Sequence, residues 1–113
     1  VKLGSSTSQE RTEAATALGE LKDERAVEPL LALLVGTSAG VRIAAVAALG
    51  QLGAEQAVEP LLALLDNASA GVRAAVVGAL DRLHHERAIE ALHTLQNDQH
   101  HMVRAAVAAV LKK

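Results

Sequence analysis

Five histidines gather late in the chain, at His84, His85, His93, His100 and His101, and with scattered serines and aspartates they are the residue types best suited to chemistry. Imidazole is a ligand for zinc or nickel, and histidine beside serine and aspartate can build a nucleophilic triad. The spacing favours neither. Four of the histidines are adjacent pairs between apolar blocks, unlike the i, i+4 arrangement that sets two rings on one helix face, and no carboxylate motif accompanies them. Polar loops are the expectation for this segment. The serines Ser5, Ser6, Ser8, Ser38 and Ser69 fall in tails and helix caps, and no nucleophile elbow or phosphate-cradling glycine-rich loop is present.

Without cysteine the chain has no thiolate ligand, nucleophile or disulfide, which fits a reducing compartment. Without Phe, Tyr or Trp it offers no ring on which to stack a flipped base or a tetrapyrrole. The formal charge of −2 is too small to draw it to a polyanion. No apolar run reaches membrane-spanning length, and no basic-then-apolar leader opens the chain. These observations predict a noncatalytic, soluble cytoplasmic protein with no metal, cofactor, nucleic acid or membrane partner.

One charged set does recur: Arg11, Arg42, Arg73 and Arg104 stand 31 residues apart, and the sequence around each restates one unit. Four arginines invite an anion-binding reading, but their recurrence with the unit predicts instead a structural ladder that bridges neighbouring units, beside loops carrying Asp66 and Asp98. Periods of 20 to 50 residues mark solenoids, where no unit buries its apolar face alone and stacking supplies the core.

Each unit has two apolar blocks at helical spacing, separated by a short polar break. The first helix of unit two is expected from about Gly40 to Leu52, with Val41, Ala44, Ala45, Ala48, Leu49 and Leu52 inward at the i, i+3, i+4, i+7 pattern. Ser38 and Ser69 are its expected N-caps in successive units, and Thr7 with Glu10 reads as a capping box. After a tight turn over 23–26, a second helix is expected from Val27 to near Gly36, with Val27, Leu30, Leu31 and Leu34 inward, repeated as Val58, Leu61, Leu62 and Leu65 and ending near Asn67. Pro29 and Pro60, which lack an N–H, fit its first turn. The glycines are expected at repeat junctions, serving turns.

The ends differ from the middle. Thr12, Glu13 and Thr16 replace Ile43, Ala44 and Ala47, while His93 and Gln96 replace leucines. Such substitutions predict polar outer faces on a finished array. The expected organisation is a flexible tail or linker at 1–6, then one domain at 7–113 with units at 7–37, 38–68 and 69–99 and a terminal helix at 100–113.

The pattern Val-Arg-x-Ala-Ala-x-x-Ala-Leu-Gly-x-Leu, followed by Glu-x-Ala-Val-Glu-Pro-Leu-Leu-x-Leu-Leu, resembles HEAT-like repeats of the phycobilisome-lyase type, also used in the alphaRep scaffolds. Unit three departs from it with Asp81 for Gly, Ala91 for Pro and His93 for Leu. The resemblance implies an all-α, right-handed α-solenoid of about three and a half hairpins, armadillo-like, with second helices on a concave, partner-binding face. Some members of that family attach or detach bilins, and distant relatives are alkylpurine glycosylases, but the repeat residues fix neither activity.

On that face Glu28, Glu59 and Glu90 repeat as a stripe, flanked by Arg25, Gln56 and Arg87, with the small residues Ala32, Ala63 and Thr94 four positions on. The expected function is a monomeric protein-interaction module that binds a protein or peptide there. The alternatives are an accessory subunit of a bilin-lyase-type enzyme and an engineered repeat scaffold.

Overall fold

The computed structural model describes residues 7–35, 38–66, 69–83 and 86–112. Among them are seven α-helices, and no strand: α1 Ser8–Leu21, α2 Val27–Ala32, α3 Ala39–Leu52, α4 Val58–Ala63, α5 Ala70–Leu83, α6 Glu86–His93 and α7 His101–Leu111. The odd-numbered helices form the spine of the stack, with α1 on α3, α3 on α5 and α5 on α7. The short even-numbered helices return the chain and pack mainly on the next long one, α2 on α3 and α4 on α5. The result is an all-α solenoid.

Side chains set the helix starts. Thr7 accepts from the Glu10 N–H at 3.2 Å while the Glu10 carboxylate accepts from the Thr7 N–H at 3.2 Å, the reciprocal capping box. Ser38 caps α3 by accepting from Val41 N–H at 3.4 Å, and Ser69 accepts likewise from Val72 N–H at 3.3 Å. The long helices α1 and α3 end in left-handed residues, Lys22 at φ 53° and Gly53 at φ 66°. Only Gly53 is suited to that conformation without a Cβ penalty.

A 3₁₀ turn over Glu24–Ala26, and its equivalent over Glu55–Ala57, precede α2 and α4. Both are followed by proline in the first helical turn. Pro29 has no N–H to offer the carbonyl of Arg25, so an α-helical bond cannot form across that turn. Unit three carries Ala91 in place of Pro29 and Pro60, and there α6 begins at Glu86, level with Glu24 and Glu55.

The second helices are shorter than the apolar pattern predicts, and their inward set differs. α2 stops at Ala32, and the chain then tightens through i→i+3 bonds, Leu33 N–H to Leu30 O at 3.0 Å and Leu34 N–H to Leu31 O at 3.1 Å. Residues three apart eclipse in such a turn. Leu33 is therefore buried in line with Leu30, whereas Leu31 is half-buried. Leu34 is buried as expected, from the turn after the helix; in unit two Leu65 is likewise buried and Leu62 half-buried, but Leu64, the counterpart of Leu33, is half-buried as well. The expected helix ends at Gly36 and Asn67 lie outside the described residues.

The long helices bury a wider arc than a single stripe. On α3 Val41, Ala45, Ala48 and Leu49 are buried as expected, but so are Val46 and Gly50, while Ala44 and Leu52 are half-buried. α3 has a helix on each side and α2 across its face, so more than one stripe must be apolar. Gly19 and Gly50 are helical and serve contact rather than turns, contrary to the sequence expectation. A Cβ on Gly19 would meet Cβ and Cα of Ala48 at 2.7 and 2.8 Å, and one on Gly50 would meet Ala79 at 3.1 Å. Small residues let these helix backbones approach closely.

Candidate binding surface

The short helices carry the row of residues predicted to meet a partner. Glu28 on α2, Glu59 on α4 and Glu90 on α6 are all exposed, as are Ala32 and Ala63 at the ends of α2 and α4. Thr94 lies in the turn after α6, exposed, with its hydroxyl donating to Ala91 O at 2.6 Å. Arg25 and Gln56 sit in the 3₁₀ turns and are exposed; the side chain of Arg87 lies outside the described residues.

Arg25 does not present a lone charge. Its guanidinium donates to the Asp23 carboxylate at 2.7 Å, and its backbone N–H donates to the same group at 2.9 Å. These bonds hold the Asp23 carboxyl at about 2, below the ordinary carboxylate value. Position 23 becomes Ala54 in unit two, so the pair is particular to unit one.

Beside this row lies a shallow cavity of about 220 Å³, lined at its rim by Glu24 and Glu55 and floored by Val27 and Leu52, with Lys22 and Gln56 adjoining. Apart from Gln56 these residues stood outside the predicted set. The signal was present, because Glu24, Glu55 and Glu86 repeat at 31 residues just as Glu28, Glu59 and Glu90 do.

The recurring arginines occupy unequal environments. Arg73, at the start of α5, grips Asp98 with two bonds of 2.9 Å, Nε to Oδ2 and Nη2 to Oδ1. The two side chains are only 15% and 8% exposed. Asp98 also accepts from the His100 N–H at 2.9 Å, and its backbone carbonyl accepts from Arg104 Nη1 at 2.6 Å. Arg73 and the His100 amide hold the Asp98 carboxyl below the ordinary range. One acidic residue thus links the first turn of α5 to the first turn of α7. Asp66, the other acidic neighbour named from sequence, is exposed and stands one register position earlier than Asp98.

The described histidines stand in two places, at the end of α6 and at the start of α7. His93 is exposed at the end of α6, and His84 and His85 lie outside the described residues. His100 caps α7, its Nδ1 accepting from Met102 N–H at 3.1 Å, and its ring stacks on His101 at 4.8 Å. That role was readable from register, since His100 stands where Ser38 and Ser69 stand. Among the described residues no group of three or more His, Cys, Asp or Glu is placed to hold a metal ion. Nor is any described helix long and apolar enough to cross a membrane.

The family described as HEAT repeats matches residues 2–75 and again 58–113, together nearly the whole chain. No curated protein matches it.

Proposed function

Because the chain belongs to the HEAT-repeat family, we propose that it is a noncatalytic interaction module, with 7–113 acting as one domain that binds a polypeptide along its short helices. HEAT repeats commonly mediate protein–protein interaction. One observation supports this surface above others: Glu28, Ala32, Glu59, Ala63, Glu90 and Thr94 are exposed at repeat-equivalent positions on or just after α2, α4 and α6, although those helices also supply Leu30, Leu61 and Leu92 to the core. The row repeats with the spacing of the stack, so an extended partner would meet similar carboxylates at successive units. Small side chains between them leave room for aliphatic groups.

Without aromatic anchors, which usually dominate hot spots, binding through this face is expected to be weak, with Kd on the order of micromolar. The test is affinity capture from the source cells with the wild-type protein and with a Glu59→Lys, Glu90→Lys double variant. Both positions are exposed, so the double variant should stay folded, as circular dichroism would check, and lose the captured protein. A partner retained at unchanged affinity by the folded double variant refutes the assignment.

A further inference from the structure

The two end helices of the stack carry opposite charge. On α1 the exposed charged side chains are Glu10, Glu13 and Glu20, while Arg11 is half-buried. On α7 and its C-cap they are Arg104 and Lys112, and no carboxylate lies between His101 and Lys112. The interior junctions show which of these residues would meet if α1 of a second copy followed α7 as one long helix follows another. A Cβ on Gly19 would lie 2.7 Å from Gln51 Oε1, and one on Gly50 would lie 3.5 Å from Arg82 Cδ. Lys112 stands three units after Gly19, and Glu20 one unit before Gln51. The step that sets Gly50 against Arg82 therefore sets Lys112 against Glu20 of a second copy. Ala75 and Arg82 both border the groove between α3 and α5, and two units earlier they are Glu13 and Glu20, so both carboxylates would border the same groove between copies. A second contact fixes the other end of the helix pair, where a Cβ on Gly71 would meet Ile43 Cδ1 at 3.1 Å. The counterparts are Ala105 on α7 and Gln9 on α1, both exposed, whereas Ile43 and Ala74 at the Ala105 position are half-buried. Ala105 thus shows surface that a following long helix covers within the stack. Nor is the Lys112 position confined to glycine: Asp81 holds it in α5, and α5 still packs on α7.

We propose that the chain associates head to tail with copies of itself, α7 of one copy seated beside α1 of the next as neighbouring long helices sit within the stack, with Lys112 paired to Glu20 of the second copy. The contact is heterologous, so each added copy leaves one α1 and one α7 uncovered and association gives open chains rather than a closed pair. It joins largely polar faces through exposed charges, which makes it weak and sensitive to salt. The glutamate row lies on the short helices and takes no part in the contact.

The test is sedimentation velocity of the purified chain over a wide range of concentration, at about 0.01 M and about 1 M salt, where charges act over roughly 30 Å and 3 Å. Mean mass should grow with concentration at the low salt and stay that of one chain at the high salt. Glu20→Lys and Lys112→Glu should each abolish the growth; both positions are exposed, and circular dichroism reports whether the variants are folded. Mixing the two variants in equal amounts should restore growth, because Lys112 of the first then meets Glu20 of the second, a rescue that damage to the fold would not give. A chain that stays monomeric at every concentration and low salt, as it would if α7 receives a different protein, overturns the proposal. So does a mass that stops at two copies, growth that persists in both single variants, or a mixture that fails to recover it.

Discussion

The junction of α1 with α3 and the junction of α5 with α7 join repeat-equivalent helices by different means. At the first, Gly19 lies directly against Ala48, so close that the backbone of one helix touches the other. At the last, the equivalent residues are Asp81 and Val110, and the helices are linked instead through Arg73, Asp98 and Arg104. The middle junction keeps the first device, with Gly50 against Ala79. A solenoid needs each unit to grip the next, but the grip can come from close packing or from a buried charge clamp. Where one weakens, the other is present.

The largest effect that would sharpen this contrast is expected from filling the close contact. Gly19→Val should destabilise the fold by about 3 kcal/mol, the upper end for overpacking a tight interior, because its Cβ would meet the Ala48 backbone. Asp81→Ala, at the equivalent position of the last junction, should cost less than about 1 kcal/mol. Urea unfolding of the two variants decides it, and equal losses would show that the junctions are not built differently.

Removing the clamp ranks next. Asp98→Ala removes the carboxylate that takes two bonds from the mostly buried Arg73 guanidinium and should cost about 2 kcal/mol, against about 0.5 kcal/mol or less for Asp66→Ala at an exposed position. Calorimetric melting of both variants at neutral pH compares them directly.

Acid should find the same junction. The folded Asp98 carboxyl is held below its ordinary value, so its contribution is fully present above the unfolded carboxylate value of about 3.9 and is lost as pH falls towards and through the lower folded one. The wild type should therefore lose more stability than Asp98→Asn below about pH 4, as chemical denaturation at stepped pH would reveal. Parallel acid curves would remove Asp98 from the account.

The smallest predicted difference concerns the caps. Ser38→Ala should cost about 1 kcal/mol, whereas His100→Ser should change thermal stability by less than about 0.5 kcal/mol, since serine can accept the same N–H. A large loss for the second would mean that the His100 ring does more than cap α7.

Much of this architecture was legible because the period is short and the residues that mark it are local. Ser38, Ser69 and Thr7 cap helices through bonds to residues three positions away, and Pro29 acts on its own turn, so sequence spacing contains the whole interaction. The end of each second helix was not legible, because the choice between a 3.6-residue and a three-residue turn after Ala32 decides whether Leu31 or Leu33 faces the core. The expectation of turns at Gly19 and Gly50 fails because the residues that need their smallness, Ala48 and Ala79, lie on another helix. The glutamate row of the binding surface was legible by register, and the sequence set the arginine ladder beside Asp66 and Asp98, but which of the two aspartates an arginine grips is decided by the fold, across 25 residues.

The relay from α1 to α3 to α5 to α7 also constrains how such a chain can change in evolution. Insertion or loss of one whole unit preserves every cap and every arginine offset, while a change of any other length would shift the surviving helices out of register. The unequal junctions add a polarity to that freedom. A duplicated unit two could follow itself, Gly50 meeting a new copy of Ala48, but a copy of unit three placed ahead of unit two would bring Asp81 against Ala48, which leaves a facing Cβ no room.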